Sequence, residues 1–136
     1  MPSPSAISKG FAMRPINVVL AYHDPRSAER LATSIRKQFR SLVVAKSVDE
    51  ASSSIARLRA PFAVVDLEMV PAAELKQLCN QFPSTAFVCV HRLADDRMWT
   101  EALANGAVDC CNSSDVRGIL LASERYVSLN SHAAAA

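Results

Sequence analysis

Titratable side chains follow several of the apolar runs in this sequence. Asp66 is the clearest case, because its carboxylate directly follows the run Phe-Ala-Val-Val, and Glu68 lies two residues further on. Imidazole and carboxylate groups at such positions could transfer protons, pair as charges or bind a metal ion. Polar residues also cap helices at such positions, so no single one identifies a reaction. The polar residues that follow the apolar runs are Tyr22, His23 and Asp24, Asp66 and Glu68, His91 and Arg92, and Asn112 to Ser114.

Five apolar, β-branched runs alternate with helical patterns and must position these residues. This alternation predicts βαβ units with a parallel sheet that is covered on both faces. Ligands of such sheets bind beyond the carboxyl ends of the strands, so we expect the polar residues to converge on one edge. The predicted strands are residues 16–22, 42–45, 62–65, 85–90 and 108–111.

The first two helices are predicted from their start signals. Asp24 followed by Pro25 reads as an N-cap and a proline at the first helical position. Ser47 and Glu50 fit a capping box, in which the serine accepts from a free N–H and the glutamate reaches back. The residues predicted to line one face of the first helix are Ala28, Leu31, Ala32, Ile35 and Phe39.

The remaining three helices are predicted from prolines, caps and one glycine. Pro71 can open the third helix, and Pro83 stops it before the fourth strand. Gly106 is placed to take the left-handed conformation that ends the fourth helix. The predicted N-caps are Asp95 or Asp96 for the fourth helix and Ser113 or Ser114 for the fifth.

Length and composition indicate one globular domain. The chain has 136 residues, of which 50% are hydrophobic and 21% are charged, and its formal net charge is +2. Charges of both signs alternate and no apolar run is long enough to span a bilayer, so we expect neither nucleic acid nor a membrane as a partner. The four cysteines lack metal-site spacing and are predicted to be free. We expect a domain over residues 16–130, with disordered segments at 1–15 and 131–136.

Four motifs and their order resemble the receiver domains of two-component response regulators over residues 16–130. They are Asn-Val-Val-Leu-Ala-Tyr-His-Asp-Pro, Phe-Ala-Val-Val-Asp-Leu-Glu-Met, Phe-Val-Cys-Val-His and Ala-Leu-Ala-Asn-Gly-Ala-Val-Asp. The resemblance implies a three-layer, flavodoxin-like (βα)₅ fold whose parallel strands follow the order 2-1-3-4-5. It also implies that Asp66 matches the aspartate that accepts a phosphoryl group in this family.

The rest of the phosphorylation machinery departs from the family's pattern. Phosphoryl transfer requires neutralisation of charge on the transferring oxygens, which the family achieves with a magnesium ion and a lysine. No lysine lies near the end of the fifth strand, and Asp24 is explained as a helix cap. The matched positions hold Tyr22 and His23 for the acidic pair, Ser113 for the lysine, His91 for the Ser or Thr, and Cys110 for the aromatic switch residue.

The resemblance implies that His23 and His91 face the same pocket as Asp66, and two interpretations follow. In the first, one charged imidazole pairs with the carboxylate and replaces the missing cation. In the second, His23, Asp66 and His91 form an open site for a transition metal such as zinc or iron.

In the family, the face formed by the fourth helix, fifth strand and fifth helix commonly meets partners or a second copy. Trp99 on this face is either an exposed interaction anchor or part of the core. The residues of this face are Met98, Trp99, Arg117, Arg125 and Tyr126.

We therefore expect a degenerate receiver of bacterial phosphorelay signalling that acts in the cytoplasm through protein–protein contact. We expect it to bind a signalling protein or an output domain, or to form a homodimer. We do not expect it to be an enzyme. No cofactor is expected, since magnesium is needed only if phosphorylation is retained. One alternative is a phosphoacceptor that uses Asp66, with Glu68 or Asp24 helping to hold the ion. Another is a small enzyme with metal or histidine chemistry.

Overall fold

The computed structural model describes residues 14–127, which form alternating strands and helices. The predicted terminal segments, apart from Arg14 and Pro15 at the start of β1, lie outside these residues. The strands are β1 (Arg14–Ala21), β2 (Phe39–Ala45), β3 (Phe62–Asp66), β4 (Ala86–His91) and β5 (Asp109–Asn112). The helices are α1 (Pro25–Ile35), α2 (Val48–Leu58), α3 (Ala72–Gln81), α4 (Asp96–Ala104) and α5 (Val116–Ala122), with a 3₁₀ turn at Arg36–Gln38 and a π-helical turn at Ser123–Val127.

The five strands form one parallel sheet in the order β2-β1-β3-β4-β5, which confirms the predicted fold class. Side chains of each strand alternate between two separate cores. Val18 and Leu20 pack with α1 and α5 on one face, and Val19 and Ala21 pack with α2, α3 and α4 on the other. The result is a three-layer domain whose central strands β3 and β4 are buried almost throughout.

Side-chain caps start four of the five helices. As predicted, Asp24 accepts a hydrogen bond from the backbone of Ser27, and Ser47 accepts one from the backbone of Glu50. Asp95, rather than Asp96, caps α4 by accepting from the Met98 N–H. Pro71 occupies the N-cap of α3, so this helix begins one residue later, at Ala72.

The prediction that Ser113 or Ser114 caps α5 is wrong, because Asp115 holds that position and accepts from the Gly118 N–H. The Asn112 side chain explains the shift. Its Oδ1 accepts from both the backbone and the hydroxyl of Ser114, which keeps this serine in a turn ahead of the helix. Ser113 is also held outside the helix, since its N–H donates to the carbonyl oxygen of His91.

Phe39 does not extend the first helix as its spacing predicts. The helix ends at Ile35, and Phe39 has extended backbone angles at the start of β2. Its ring lies 6.1 Å from that of Phe62, centroid to centroid, and is buried. Residue spacing alone allows Phe39 to belong either to the first helix or to the second strand. The strand preference of aromatic residues and the packing near Phe62 favour the strand.

Gly106 follows α4 with φ of +110°, the left-handed conformation predicted for the residue that ends this helix. Cys110 and Cys111 point to opposite cores, and the cysteines are free, as their spacing predicts. Between residues 14 and 127, no helix is long and apolar enough to cross a membrane.

Candidate functional site

Asp66 ends β3 at the carboxyl edge of the sheet, and its side chain is only 1% exposed. The four preceding residues fill both cores, so the strand brings the carboxylate to the edge without exposing it. Both carboxylate oxygens accept hydrogen bonds from the backbone. The His23 N–H donates to Oδ2 at 3.2 Å, and the Glu68 N–H donates to Oδ1 at 3.0 Å.

The His23 imidazole completes the surroundings of this carboxylate. Its Nδ1 contacts Oδ2 of Asp66, and its Nε2 lies 3.9 Å from Oε1 of Glu68. The hydrogen bond to Asp66 raises the pKa of His23 above its ordinary value of 6.5, although partial burial of the ring acts in the opposite direction. A protonated His23 therefore acts as a cation for two carboxylates on β3 and the loop that follows it.

Arg92 adds a second cation, which the sequence pattern predicts only as a strand-end residue. Its Nη2 lies 3.4 Å from Oε2 of Glu68. Its carbonyl oxygen accepts from the Asn112 side chain at 3.0 Å. Because Arg92 is largely exposed, this ion pair is screened by solvent and contributes little to stability. The only sequence signal for its role is its position directly after a strand.

Tyr22 and Asp24 flank His23 but have different surroundings. The Tyr22 ring is buried in the core beside α1 and α5, and it stacks on the His23 ring with centroids 5.7 Å apart. Asp24 caps α1, and hydrogen bonds from Ser27 lower the pKa of its carboxyl. Asp24 is thus engaged as a cap, as the sequence predicts.

His91 lies apart from Asp66, on the other face of the sheet. Asp66 pairs in register with Val90, and strand alternation turns the next side chain, His91, toward α3 and α4. There it lines a small cleft with Leu67 and Met98, and its Nδ1 accepts from the Leu93 N–H at 2.9 Å.

Within residues 14–127, one group of three potential metal ligands has its donor atoms within 4.8 Å of one another: His23, Asp66 and Glu68. The predicted group of His23, Asp66 and His91 is therefore wrong in one member, because Glu68 and not His91 lies beside the other two. Strand spacing predicts which residues reach the edge of the sheet. It does not predict the direction in which a loop residue such as Glu68 turns its side chain.

Ser113 lines another cleft, next to α1, together with Tyr22. It stands at the position where the resemblance implies a lysine, so no ammonium group comes from this turn. Among the described residues, the cations paired with the acidic group of Asp66 and Glu68 are His23 and Arg92. This arrangement neutralises a buried carboxylate with groups from the same chain.

We define the α4–β5–α5 surface by the five residues predicted for it, and Trp99 is the largest of its exposed apolar side chains. The indole is 46% exposed, and its Nε1 donates to Oδ1 of Asp109 at 3.1 Å. Arg125 lies over the ring of Tyr126, 6.0 Å from its centroid. Trp99 is thus an exposed side chain held by a hydrogen bond, rather than part of the core. The remaining residues of the surface are Met98, which is half-buried, and Arg117, which is exposed.

The fold matches solved structures of response regulators. A Francisella response regulator receiver domain has 20% identity and a TM-score of 0.69, over 85% of this chain and 95% of that one. A response regulator from Thermotoga maritima has 17% identity and a TM-score of 0.72, over 85% and 99% of the two chains. One from Burkholderia pseudomallei, with a phosphorylated aspartic acid, calcium ion and citrate, has 18% identity and a TM-score of 0.70, over 89% and 73%. No protein-family model and no curated protein sequence matches this chain. At these identities the likeness establishes the fold, which is that of receiver domains.

Proposed function

We propose that this chain is a signalling module of the two-component type that acts through protein–protein contact and not through a magnesium-dependent aspartyl phosphate. It works in the bacterial cytoplasm and has no catalytic activity of its own. The receiver fold supports the signalling role. The surroundings of Asp66 support the second part of the proposal.

The observation that carries the proposal is the contact between His23 and Asp66. Oδ2 of Asp66 faces both the ring and the backbone N–H of His23, and Oδ1 accepts from the Glu68 backbone. A phosphoryl donor must approach one of these oxygens in line. Approach to Oδ2 would require displacement of the imidazole that neutralises the carboxylate, and Oδ1 is already engaged by the Glu68 N–H.

Charge balance also opposes a phosphoryl group at this position. A phosphorylated Asp66 would place new negative charge beside Glu68, where His23 and the exposed Arg92 are the paired cations. The family stabilises this charge with a metal ion and a lysine, and removal of one such group costs about 3 kcal/mol of barrier. Here the lysine position holds Ser113.

A second candidate function is a phosphoacceptor receiver with an altered metal site. The donor atoms of His23, Asp66 and Glu68 lie within 4.8 Å of one another, which is the observation in its favour. An imidazole with two carboxylates suits zinc or another transition ion better than magnesium, which prefers oxygen ligands. Under this alternative, the ion would replace the proton of His23 and neutralise Asp66 for phosphoryl transfer.

The surface that we propose for the partner is the α4–β5–α5 surface. Exposed tryptophans held in one orientation are frequent anchors in protein interfaces, and Trp99 has this character. Leu121 on α5 is also 41% exposed. The partner is another signalling protein, an output domain or a second copy of this chain.

The proposal is tested by incubating the chain with acetyl phosphate and magnesium and measuring its intact mass. We expect no mass increase, and the same result for the Asp66→Asn variant. Stoichiometric addition of one phosphoryl group, lost in Asp66→Asn, would contradict the proposal and favour the second candidate. The incubation is repeated with zinc or manganese in place of magnesium. Phosphorylation with one of these ions alone would indicate an altered metal site, and none with any ion would indicate that Asp66 is not a phosphoacceptor.

A further inference from the structure

The cleft that Tyr22 and Ser113 line lies between α1 and the turn that joins β5 to α5. It has a volume of about 290 Å³, which suits a compact ligand, since pockets for drug-sized molecules start at roughly 300 Å³. Leu31 and Val116 give it apolar walls. Three of its other residues, Tyr22, Arg30 and Ser113, have side-chain donors with no hydrogen-bond or ion-pair partner among residues 14–127.

Tyr22 gives the strongest indication that the cleft receives a ligand. The residue is only 8% exposed, and its hydroxyl makes no hydrogen bond within the described part of the chain. Every fully enclosed side-chain oxygen or nitrogen in residues 14–127 has a partner. The Tyr22 hydroxyl is therefore not fully enclosed, and we infer that it is exposed at this cleft because Tyr22 is one of the residues that line it. A buried phenol that opens into a cleft is a fixed donor for a bound group.

Arg30 and Ser113 supply further donors from two different elements. The ion pairs among residues 14–127 do not include the Arg30 guanidinium on α1, and the Ser113 hydroxyl has no hydrogen-bond partner there. A guanidinium carries five N–H donors in a planar fork that fits the oxygens of a carboxylate or phosphate. These three residues together favour an oxyanion.

The other three hydroxyls of the cleft already donate their protons within the protein, so they can only accept hydrogen bonds from a ligand. Ser27 donates its proton to Oδ2 of Asp24 at 2.6 Å, Ser34 donates to the Arg30 carbonyl at 3.0 Å, and Ser114 donates to Oδ1 of Asn112 at 2.8 Å. Their oxygens are left to accept hydrogen bonds from a ligand. Acceptors of this kind are complementary to hydroxyl groups.

We propose that this cleft binds a small phosphoryl compound that also carries hydroxyl groups, with the phosphoryl oxygens on Tyr22, Arg30 and Ser113. This inference goes beyond the proposed function and does not depend on it. The cleft shares a wall with the Asp66 site, because the Tyr22 ring stacks on His23. A ligand in the cleft would therefore contact the ring that adjoins the His23–Asp66 pair.

The test is isothermal titration of the full chain with glycerol 3-phosphate, with inorganic phosphate and phosphoserine as further probes and glycerol as a neutral control. We expect glycerol 3-phosphate to bind more tightly than inorganic phosphate and glycerol not to bind. Tyr22→Phe removes only the hydroxyl, and Arg30→Gln removes the exposed charge. Each should weaken binding about tenfold or more, because each removes a hydrogen bond to a charged group.

The matched control is Arg26→Gln, which removes an exposed arginine from the same helix but outside the cleft. This variant should bind glycerol 3-phosphate like the wild type. Tighter binding of phosphoserine than of glycerol 3-phosphate would identify a phosphorylated side chain as the source of the group. The inference is overturned if no phosphoryl probe binds, or if Arg26→Gln and Arg30→Gln weaken binding equally. Circular dichroism checks whether Tyr22→Phe is folded. If it is not, the exposed Arg30→Gln variant decides the result by itself.

Discussion

Nδ1 of His23 contacts Oδ2 of Asp66, and Asp66 is the one charged residue that is buried between residues 15 and 127. The two residues belong to different parts of the chain, since His23 follows β1 and Asp66 ends β3. Their contact therefore connects two loops at the carboxyl edge of the sheet. The His23 imidazole provides positive charge at the position where the family resemblance implies an acidic metal ligand.

Replacement of His23 by alanine should destabilise the domain. Asp66 would keep its backbone hydrogen bonds but lose its charged partner, and we expect a loss of about 1–3 kcal/mol in the free energy of unfolding. Urea denaturation near pH 6 measures this loss. In an Asp66→Asn background the same replacement should have a smaller effect, with a coupling energy of about 0.5–3 kcal/mol. Additive effects of the two substitutions would show that the pair does not interact.

Stability should depend on pH through His23. Since the hydrogen bond to Asp66 raises the pKa of His23 above 6.5, the folded state holds the proton more tightly than the unfolded state. The stabilisation from this pair is fully present below pH 6.5 and is lost as the pH rises through the raised pKa. Urea denaturation between about pH 5.5 and 8.5 should show wild type and His23→Asn converging at the upper end. Because His23 is 44% exposed, added salt should reduce the difference. A difference that stays constant over this pH range would contradict the assignment.

Restoring the acidic residue and the lysine should restore phosphorylation. His23→Asp gives a second carboxylate for magnesium beside Asp66, and Ser113→Lys supplies the cation that the resemblance implies at this position. Since each stabiliser is worth about 10²–10³ in rate, the double variant should react with acetyl phosphate at least about a hundredfold faster than the wild type. Intact mass over time measures the rate. Asp66→Asn in the same background is the control, and a wild type that is phosphorylated at a measurable rate equal to that of the double variant would contradict our proposed function.

The fold was predictable because local signals and hydrophobic pattern agree along most of the chain. Asp24, Ser47 and Asp95 cap the helices they were expected to cap, and strands β3 and β4 lie within one residue of the predicted runs. The errors occur where two local structures compete. Asn112 forms a turn with Ser114 and thereby moves the start of α5 to Asp115, a competition that helix propensities do not reveal.

The composition of the candidate site was less predictable than its location. The sequence places His23, Asp66, Glu68 and His91 near one edge, and all four are at strand ends or in the following loops. Side-chain direction then separates them: His91 turns toward α3 and α4, whereas Glu68 turns toward His23. Such directions depend on strand register and on loop conformation, which spacing along the sequence does not determine.

Trp99 should report on the α4–β5–α5 surface by its fluorescence, since it is the only tryptophan in the chain. With 46% of the side chain exposed, acrylamide should quench its emission readily in the isolated protein. Trp99→Ala should change the free energy of unfolding by less than about 1 kcal/mol, because the indole is outside the core. Protection from quenching on addition of a partner would support this surface as the binding site. Strong quenching that persists in the complex would place the partner elsewhere.

Replacement of Gly106 by alanine should destabilise the domain more than any surface substitution. Its φ of +110° disfavours a side chain, and a Cβ atom would lie 2.7 Å from the Cβ of Cys79 on α3. Overpacking of this kind costs about 1–3 kcal/mol, and the backbone strain adds to it. Thermal unfolding of Gly106→Ala and Gly106→Asn distinguishes the two causes, because asparagine tolerates positive φ better but still carries the Cβ. If steric contact dominates, Gly106→Asn is at least as destabilised as Gly106→Ala; if strain dominates, Gly106→Asn is the more stable. Wild-type stability of both would contradict the close approach of α3 to the end of α4.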